Sequence, residues 1–560
     1  MASHANSSER ATWGTLLLSC LMILTVALAA CGSQPPSSTA KQVPLSIVGN
    51  TGGDFTRIFN PYNANTNYGA QGMVYETLLF FNRLDGSIKP WLAQSYDFSS
   101  DATLITFHLR SGVKWSDGQA FSSDDVLFTL NELKKYPGMD VFSIWQFIKS
   151  VSAPDPGTVT VTLNRPFSPI LWYLGGQTWI LPRHHYASVG DGSQYADPNP
   201  VGTGPYLLKS FTPQIYTMVK NPNYWQPGKP VVNEITFPAF DSNTSAELAL
   251  NRGDIQWTGL YIPNIQQTYI NRDPAHNHYW FPPSDVVMLY VNTAKYPFNL
   301  LPVRQAISDA LDRQKLDSIA ESGYEPVASP TGLLLPENNR YLNPGYSGLN
   351  FTMNPAQSEQ LLQSAGFTKG SNGYFVDKNG KQLAFSIDVV SGWTDWITSC
   401  QIMASNLKAA GMNVTVNTLS YDAYYSALQM GNFSVAISWT NPGPTPYYLY
   451  QSLLSSTNTA PVGKAATSNW ERWNDPATDK LLTQYATSTD SSVQQQALNG
   501  IQQIMVQQLP SIPLVYGATW YEYNTSRFTG WPDANNTYAV PSPYTFPDAE
   551  IVVLHLKPVA

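Results

Sequence analysis

Trp115–Leu130 reads WSDGQAFSSDDVLFTL, and its local grammar sets the fold class. Trp115-Ser116-Asp117-Gly118 is a turn with a large ring beside it, and Ser122-Ser123-Asp124-Asp125 opens a helix. Ser122 and Asp125 have capping-box spacing, in which each side chain takes the other's backbone amide. Val126, Leu127, Leu130 and Leu133 then share one side of the helix. Thr103–Leu109 (TLITFHL) before it and Thr158–Leu163 (TVTVTL) after it alternate with the period of half-buried strands. Strand and helix signals alternate along the rest of the chain, which indicates α/β or α+β layers.

Further out, Pro302 starts an amphipathic helix over Val303–Ile319, with Val303, Ala306, Ile307, Ala310 and Leu311 on one face. Trp396–Ala410 is a second helix, stopped by Gly411, and Gln494–Gln507 a third, stopped near Pro510. Phe433–Ser438 reads as a strand that ends at Trp439.

The N-terminus speaks of location. Thr15–Ala30 is a short apolar run after Arg10, the form of a signal peptide rather than a stable span. It ends in Leu28-Ala29-Ala30-Cys31-Gly32, which resembles the bacterial lipobox. That resemblance implies a signal peptide over 1–30, a lipid on Cys31, and export to the outer face of the cytoplasmic membrane. Two or three acyl chains are enough for stable anchoring. The Pro- and Ser-rich stretch to residue 42 is expected to be a flexible tether.

About 520 residues remain after the tether, enough for three or four lobes at ~150 residues each. With Cys20 and Cys31 assigned to the signal and the lipid, Cys400 is alone, so the mature chain has neither a disulfide nor a Cys-based zinc site. A net charge of −8 argues against nucleic acid. Only 12% of residues are charged while 13% are aromatic, so rings must fill either large cores or a ligand cleft.

Several segments, in order along nearly the whole mature chain, resemble the extracellular solute-binding proteins of ABC importers, family 5, which includes oligopeptide, dipeptide and nickel binders. They are Phe59-Asn60-Pro61, Tyr75-Glu76-Thr77-Leu78, Trp115–Leu130, Val201–Leu207 (VGTGPYL), Asn221–Trp225 (NPNYW) and Val303-Arg304-Gln305-Ala306 with Leu311-Asp312-Arg313. From the residues themselves, Gly202-Thr203-Gly204 is read as close backbone packing. It lacks the third glycine and the strand–helix context of a phosphate loop. The resemblance implies a periplasmic-binding-protein-like two-lobe α/β fold (type II, cluster C) with an extra N-terminal subdomain. Lobe I would comprise 43–95, 200–284 and 515–560, the subdomain 96–199, and lobe II 285–514. It implies a monomer that hands a small solute to an ABC permease, with no cofactor, and no metal is expected because the histidines lack a nearby acidic cluster.

Peptide-binding members carry acidic residues in a Trp-x-x-Asp-Tyr-Pro-Asp-Pro-like stretch, one of which pairs with the peptide ammonium. Trp439-Thr440-Asn441-Pro442-Gly443-Pro444-Thr445-Pro446 has Pro442 and Thr445 at those positions, which weakens a peptide reading unless Asp395 or Asp422 substitutes. Ile255–Asn264, Asp273–Pro283, Gly392–Trp396 and Trp439–Tyr450 instead resemble the branch that binds cellobiose and other β-linked oligosaccharides. Rings suit the flat C–H faces of sugars, and amides suit their hydroxyl rims. The expected ligand residues are Trp439, Asn441, Tyr447, Tyr448, Trp257, Trp393, Trp396 and Asn60, with Tyr447 and Tyr448 placed in the loop after Trp439. For any single Trp, core and cleft stand about even. His184-His185 and His276/His278 lack an acidic cluster and read as surface or turn residues. The rival from another class is a secreted glycosidase, which needs two carboxylates flanking the scissile bond. No Gly-x-Ser-x-Gly or His-Glu-x-x-His is present.

Overall fold

The computed structural model describes residues 43–48, 53–63, 65–391 and 393–559. The expected signal peptide, Cys31 and the tether lie outside the described residues.

Thr158–Leu163 buries Val159, Val161 and Leu163, and Leu104–Leu109 buries Ile105, Phe107 and Leu109, as their alternation requires. With Ala93–Phe98 and Ile148–Asp155 they make an antiparallel four-stranded sheet in the order 93–98, 104–109, 158–163, 148–155. Helix Ser123–Lys135 packs on it through Val126, Leu130 and Leu133. Its capping box forms as expected: Ser122 accepts from Asp124 N, and Ser122 N donates to Asp125 Oδ2 at 3.1 Å. Trp115 is wholly buried and donates its Nε1 to Asp125.

Lobe I holds a four-stranded sheet in the order Leu45–Ser46, Glu234–Pro238, Ile215–Lys220, Tyr206–Thr212. The Gly202–Gly204 turn leads into it. A Cβ on Gly202 would meet Val74 O at 1.8 Å, and one on Gly204 would meet Met73 O at 2.4 Å, so this is close backbone packing. The chain's far end completes the lobe, because Glu522–Asn524 sits between Trp257–Thr258 and Asn277–Tyr279 in a three-stranded sheet.

Lobe II is built on a five-stranded sheet in the order Asn413–Leu419, Ala384–Val390, Val435–Ser438, Pro283–Val291, Ile512–Ala518. The first three run parallel, and the last two are antiparallel to their neighbours. Val435–Ser438 is buried at all four positions, as a strand covered on both faces must be. The chain enters this sheet along Pro283–Val291 and leaves it along Ile512–Ala518, and these two strands pair antiparallel as the crossing into and out of it. The cuts expected after 95, 284 and 514 therefore each fall inside a strand: Ala93–Phe98, Pro283–Val291 and Ile512–Ala518.

The long helix expected over Val303–Ile319 is interrupted. Leu301–Ala310 ends at Leu311, whose backbone is extended, and Asp312 caps a new short turn by accepting from Lys315 N. A π-turn, Leu316–Ala320, follows. The break turns Arg313 inward, where it donates to Ser308 O, Ser308 Oγ and Pro513 O and lies 3.6 Å over the Phe351 ring. Amphipathic spacing cannot reveal this, since it counts apolar positions and says nothing of a buried guanidinium seeking carbonyls. The other two helices run Thr394–Ala409 and Ser491–Gln508.

Candidate functional site

All three parallel strands of lobe II deliver rings at their carboxyl ends, where open α/β sheets bind ligands. After Val390 come Trp393 and Trp396, at the start of helix Thr394–Ala409. After Leu419 come Tyr424 and Tyr425, in helix Tyr421–Met430, whose N-cap is Ser420. After Ser438 comes Trp439. Trp439 lies 5.5 Å from Trp393, 5.8 Å from Trp396 and 6.2 Å from Tyr425, each pair tilted. Trp393, Trp439 and Tyr425 are half-buried, so one side of each is packed and another is open. Trp439 O accepts from Tyr290 Oη at 2.9 Å, and Thr440 Oγ1 accepts from Val286 N at 3.0 Å, which fixes the turn out of the strand. Asn441 is exposed beside them.

A second ring group gathers beside the paired strands Pro283–Val291 and Ile512–Ala518. Trp520 lies 5.3 Å from Tyr261, 4.9 Å from Phe281 and 5.9 Å from Tyr324, all edge to face. Its amide donates to Tyr544 Oη at 3.1 Å. Gly259 sits beneath, where a Cβ would come within 2.5 Å of the Tyr544 ring and 2.8 Å of Trp520 O, so no larger residue fits. Tyr544 also lines a cavity of about 600 Å³ with Tyr62, Gln71, Phe142, Trp179 and Phe546, within the range of small-molecule sites.

Carboxyl groups lie between the two ring groups. Glu321 Oε1 accepts from Ser399 Oγ, in the helix that begins beside Trp393. Glu325 Oε1 accepts from Ala518 N, two residues before Trp520. Asp285 Oδ2 accepts from Ser284 Oγ. Burial pushes Glu321 up to about 8, aided by Asp395 and Asp317, and Asp285 up to about 6. Glu325 is raised by burial and by Glu321.

The expected ligand residues separate. Trp393, Trp396 and Trp439 come together, and Asn441 adjoins them. Trp257 is a correction: it is wholly buried in lobe I, donates Nε1 to Pro541 O at 2.9 Å and packs on Trp531. Asn60 is another, also wholly buried, with Nδ2 donating to Gly192 O and Tyr195 O and Oδ1 accepting from Tyr62 N, so it pins a loop. Tyr447 and Tyr448 lie in helix Pro446–Leu454, because Pro446 takes the first helical position and starts that helix. Tyr447 stacks on Tyr485 at 4.6 Å within lobe II, and Tyr448 donates to Pro169 O in the subdomain stretch, so both are packing residues. The histidines pair locally: His184 with Asp117, His185 with Asp197, and His276 with Asp273. The side chain of Asp422 lies outside the described residues.

Phe281, Tyr324, Trp520 and the buried carboxyls were not singled out from sequence. Trp520 and Tyr324 lie far apart in the chain and meet only because Ile512–Ala518 returns beside Pro283–Val291. Residues 87–461 match the model of the bacterial extracellular solute-binding proteins, family 5. The chain is 28% identical to the nickel-binding periplasmic protein of Escherichia coli over 69% of its length and 73% of that protein's. It is 26% identical to the Escherichia coli glutathione-binding protein over 95% and 98% of the two chains. The periplasmic oligopeptide-binding protein of Thermotoga maritima superposes with a TM-score of 0.85 at 25% identity, over 92% of this chain and 99% of that one. A mannohexaose-bound structure of that protein superposes at 0.78, with the same identity and coverage.

Proposed function

The chain belongs to the bacterial extracellular solute-binding proteins of family 5, and from that premise we propose that it captures an oligosaccharide for an ABC importer. The observation that carries the reading is the pair of ring groups, one at the strand ends of lobe II and one at the crossing, with a ring-lined cavity adjoining the second. Such a row of rings offers successive flat faces to successive sugars. A sugar face covering about 100 Å² of ring contributes about 2.5 kcal/mol at ~25 cal/mol per Å². Three such contacts contribute about 7.5 kcal/mol before ordering costs, so hydrogen bonds to the hydroxyl rim must supply the remainder of micromolar binding, about −8 kcal/mol. A relative named for oligopeptides holds mannohexaose, so within this fold the name of a binder does not confine its cargo to peptides. Cello-, xylo- and manno-type oligomers all present the required faces. Closure over the solute draws on contacts from both lobes, which is how a ligand favours the closed state.

The lipid on Cys31 and the tether to residue 42 would keep this receptor beside its permease on the outer face of the membrane. Cys31→Ala is then expected to release the protein into the soluble fraction; retention on membranes would refute the anchor.

Calorimetry on the mature protein, with cello-, xylo- and manno-oligosaccharides set against tri- to pentapeptides, tests the cargo. Sugar binding without cleavage is the expected result. Tight peptide binding with silent sugars overturns the oligosaccharide reading, and sugar hydrolysis would make the protein a glycosidase.

A further inference from the structure

Glu321 and Glu325 are 1% and 5% exposed, yet each leaves one carboxyl oxygen, Oε2, without a hydrogen-bond partner. Asp285 Oδ1, against Gly517, is a third such atom. Thr519 Oγ1, in a residue 2% exposed and next to the Ala518 amide that Glu325 holds, is also unpartnered. Buried polar atoms are nearly always paired, so orphans gathered in one place call for a partner that the chain itself does not supply.

The charges that act on Glu321 are Asp395 and Asp317, and those on Glu325 are Glu321, Asp285 and Asp395; all are negative. Arg83 acts on Asp285 alone of this set. The group comes from four places in the chain: the crossing strand Pro283–Val291, the π-turn Leu316–Ala320, the loop after it, and the helix beside Trp393. Its neighbours on either side are the two ring groups of the proposed cleft.

Resting on the oligosaccharide reading, we propose that Asp285, Glu321, Glu325 and Asp395 form a subsite for a protonated amine on the solute, so that the cargo is an amino-sugar oligomer. An ammonium is a donor only, and the orphaned oxygens of Glu321 and Glu325 are acceptors without a donor from the chain. Rings flanking the acids favour a cation that also carries apolar surface, since aromatic faces attract ammonium groups. A bare metal ion fits less well. It needs several oxygens converging at about 2.3–2.6 Å, and among the described residues no three His, Cys, Asp or Glu side chains form such a set.

Calorimetry tests this with three tetramers: a glucosamine oligomer, its fully N-acetylated form, and cellotetraose. The glucosamine oligomer is expected to bind at least about tenfold more tightly than the other two. In Glu321→Gln/Glu325→Gln the advantage of the glucosamine oligomer over its N-acetylated form is expected to fall below about threefold. Glutamine keeps the shape of the protonated acid, so the melting temperature of the empty variant is expected to hold or rise. Equal binding of the glucosamine and N-acetylated oligomers overturns the subsite, as does an advantage that survives in the variant. The wild-type comparison needs no variant to fold. A tetrapeptide and its N-acetyl form separate the two readings. If sugars are silent and only the free-amine peptide binds, through Glu321 and Glu325, the oligosaccharide reading fails and the subsite stands. If both peptides bind alike, the subsite fails too.

Discussion

Two groups of aromatic rings in this protein share a composition and differ in use. In lobe I, Trp257, Trp531, Tyr521 and Tyr523 pack at 4.7–5.8 Å and are at most 7% exposed. Their polar atoms are spent internally: Trp257 donates to Pro541 O, Trp531 to Phe528 O and Tyr521 to Pro532 O. In lobe II, Trp393, Trp439 and Tyr425 pack at similar distances but keep an open side. The difference lies in what precedes each ring. Trp257 begins a strand covered on both sides, whereas Trp439 stands just past the end of a parallel strand, where the sheet stops. Position relative to the strand end, rather than residue type, decides whether a tryptophan is buried on all sides or keeps an open face.

The largest effect that would break this contrast is on stability. Trp257→Ala is expected to cost about 3–5 kcal/mol, because it leaves a large cavity and strips Pro541 O of its donor. Urea denaturation measures it. Trp439→Ala is expected to leave the melting curve of the empty protein nearly in place and to weaken oligosaccharide binding by more than about tenfold, or ~1.4 kcal/mol. If the two variants lose similar stability, Trp439 is core and the contrast fails.

Tyr448→Phe sharpens the line between the groups. Its hydroxyl donates to Pro169 O across the contact between lobe II and the subdomain, and its ring lies 4.5 Å from Trp172. Losing that buried bond is expected to cost about 1 kcal/mol of stability while leaving the calorimetric affinity for sugar unchanged. A large loss of affinity would return Tyr448 to the ligand wall.

Much of this was legible from local pattern. The capping box at Ser122, the alternation of Thr158–Leu163 and the close approach at Gly202 each follow from neighbouring residues alone. Trp439 was legible because a strand followed by Pro and Gly is a local signal. Asn60 and Trp257 misled because their partners, Gly192 and Pro541, lie over a hundred residues away. The Trp520 group and the carboxyls were hidden for the same reason: the return of Ile512–Ala518 beside Pro283–Val291 creates them, and no window of sequence contains both.

Carboxyls extend the contrast and supply the smallest expected effect. Glu76 and Glu550 are wholly buried in lobe I, where Tyr224 donates to both, Trp91 to Glu550 and Trp225 to Glu76. Burial raises both above the usual glutamate value, so the folded chain holds a proton that the unfolded chain releases. The folded state then binds more protons, and stability falls as pH rises. This contribution is full below the unfolded glutamate value, near 4.5, and is lost as pH climbs through the raised folded values. Glu550→Gln removes one titrating group and gives Glu76 an amide donor. The decline of the urea midpoint with pH is therefore expected to be shallower in the variant, with little change at pH 4. Sugar affinity of the variant is expected to match that of the wild type at every pH, because this pair lies within the core of lobe I, away from the proposed cleft. Superimposable midpoint curves would show that the pair shares no proton. A changed affinity would mean that lobe I's buried acids communicate with the cleft after all.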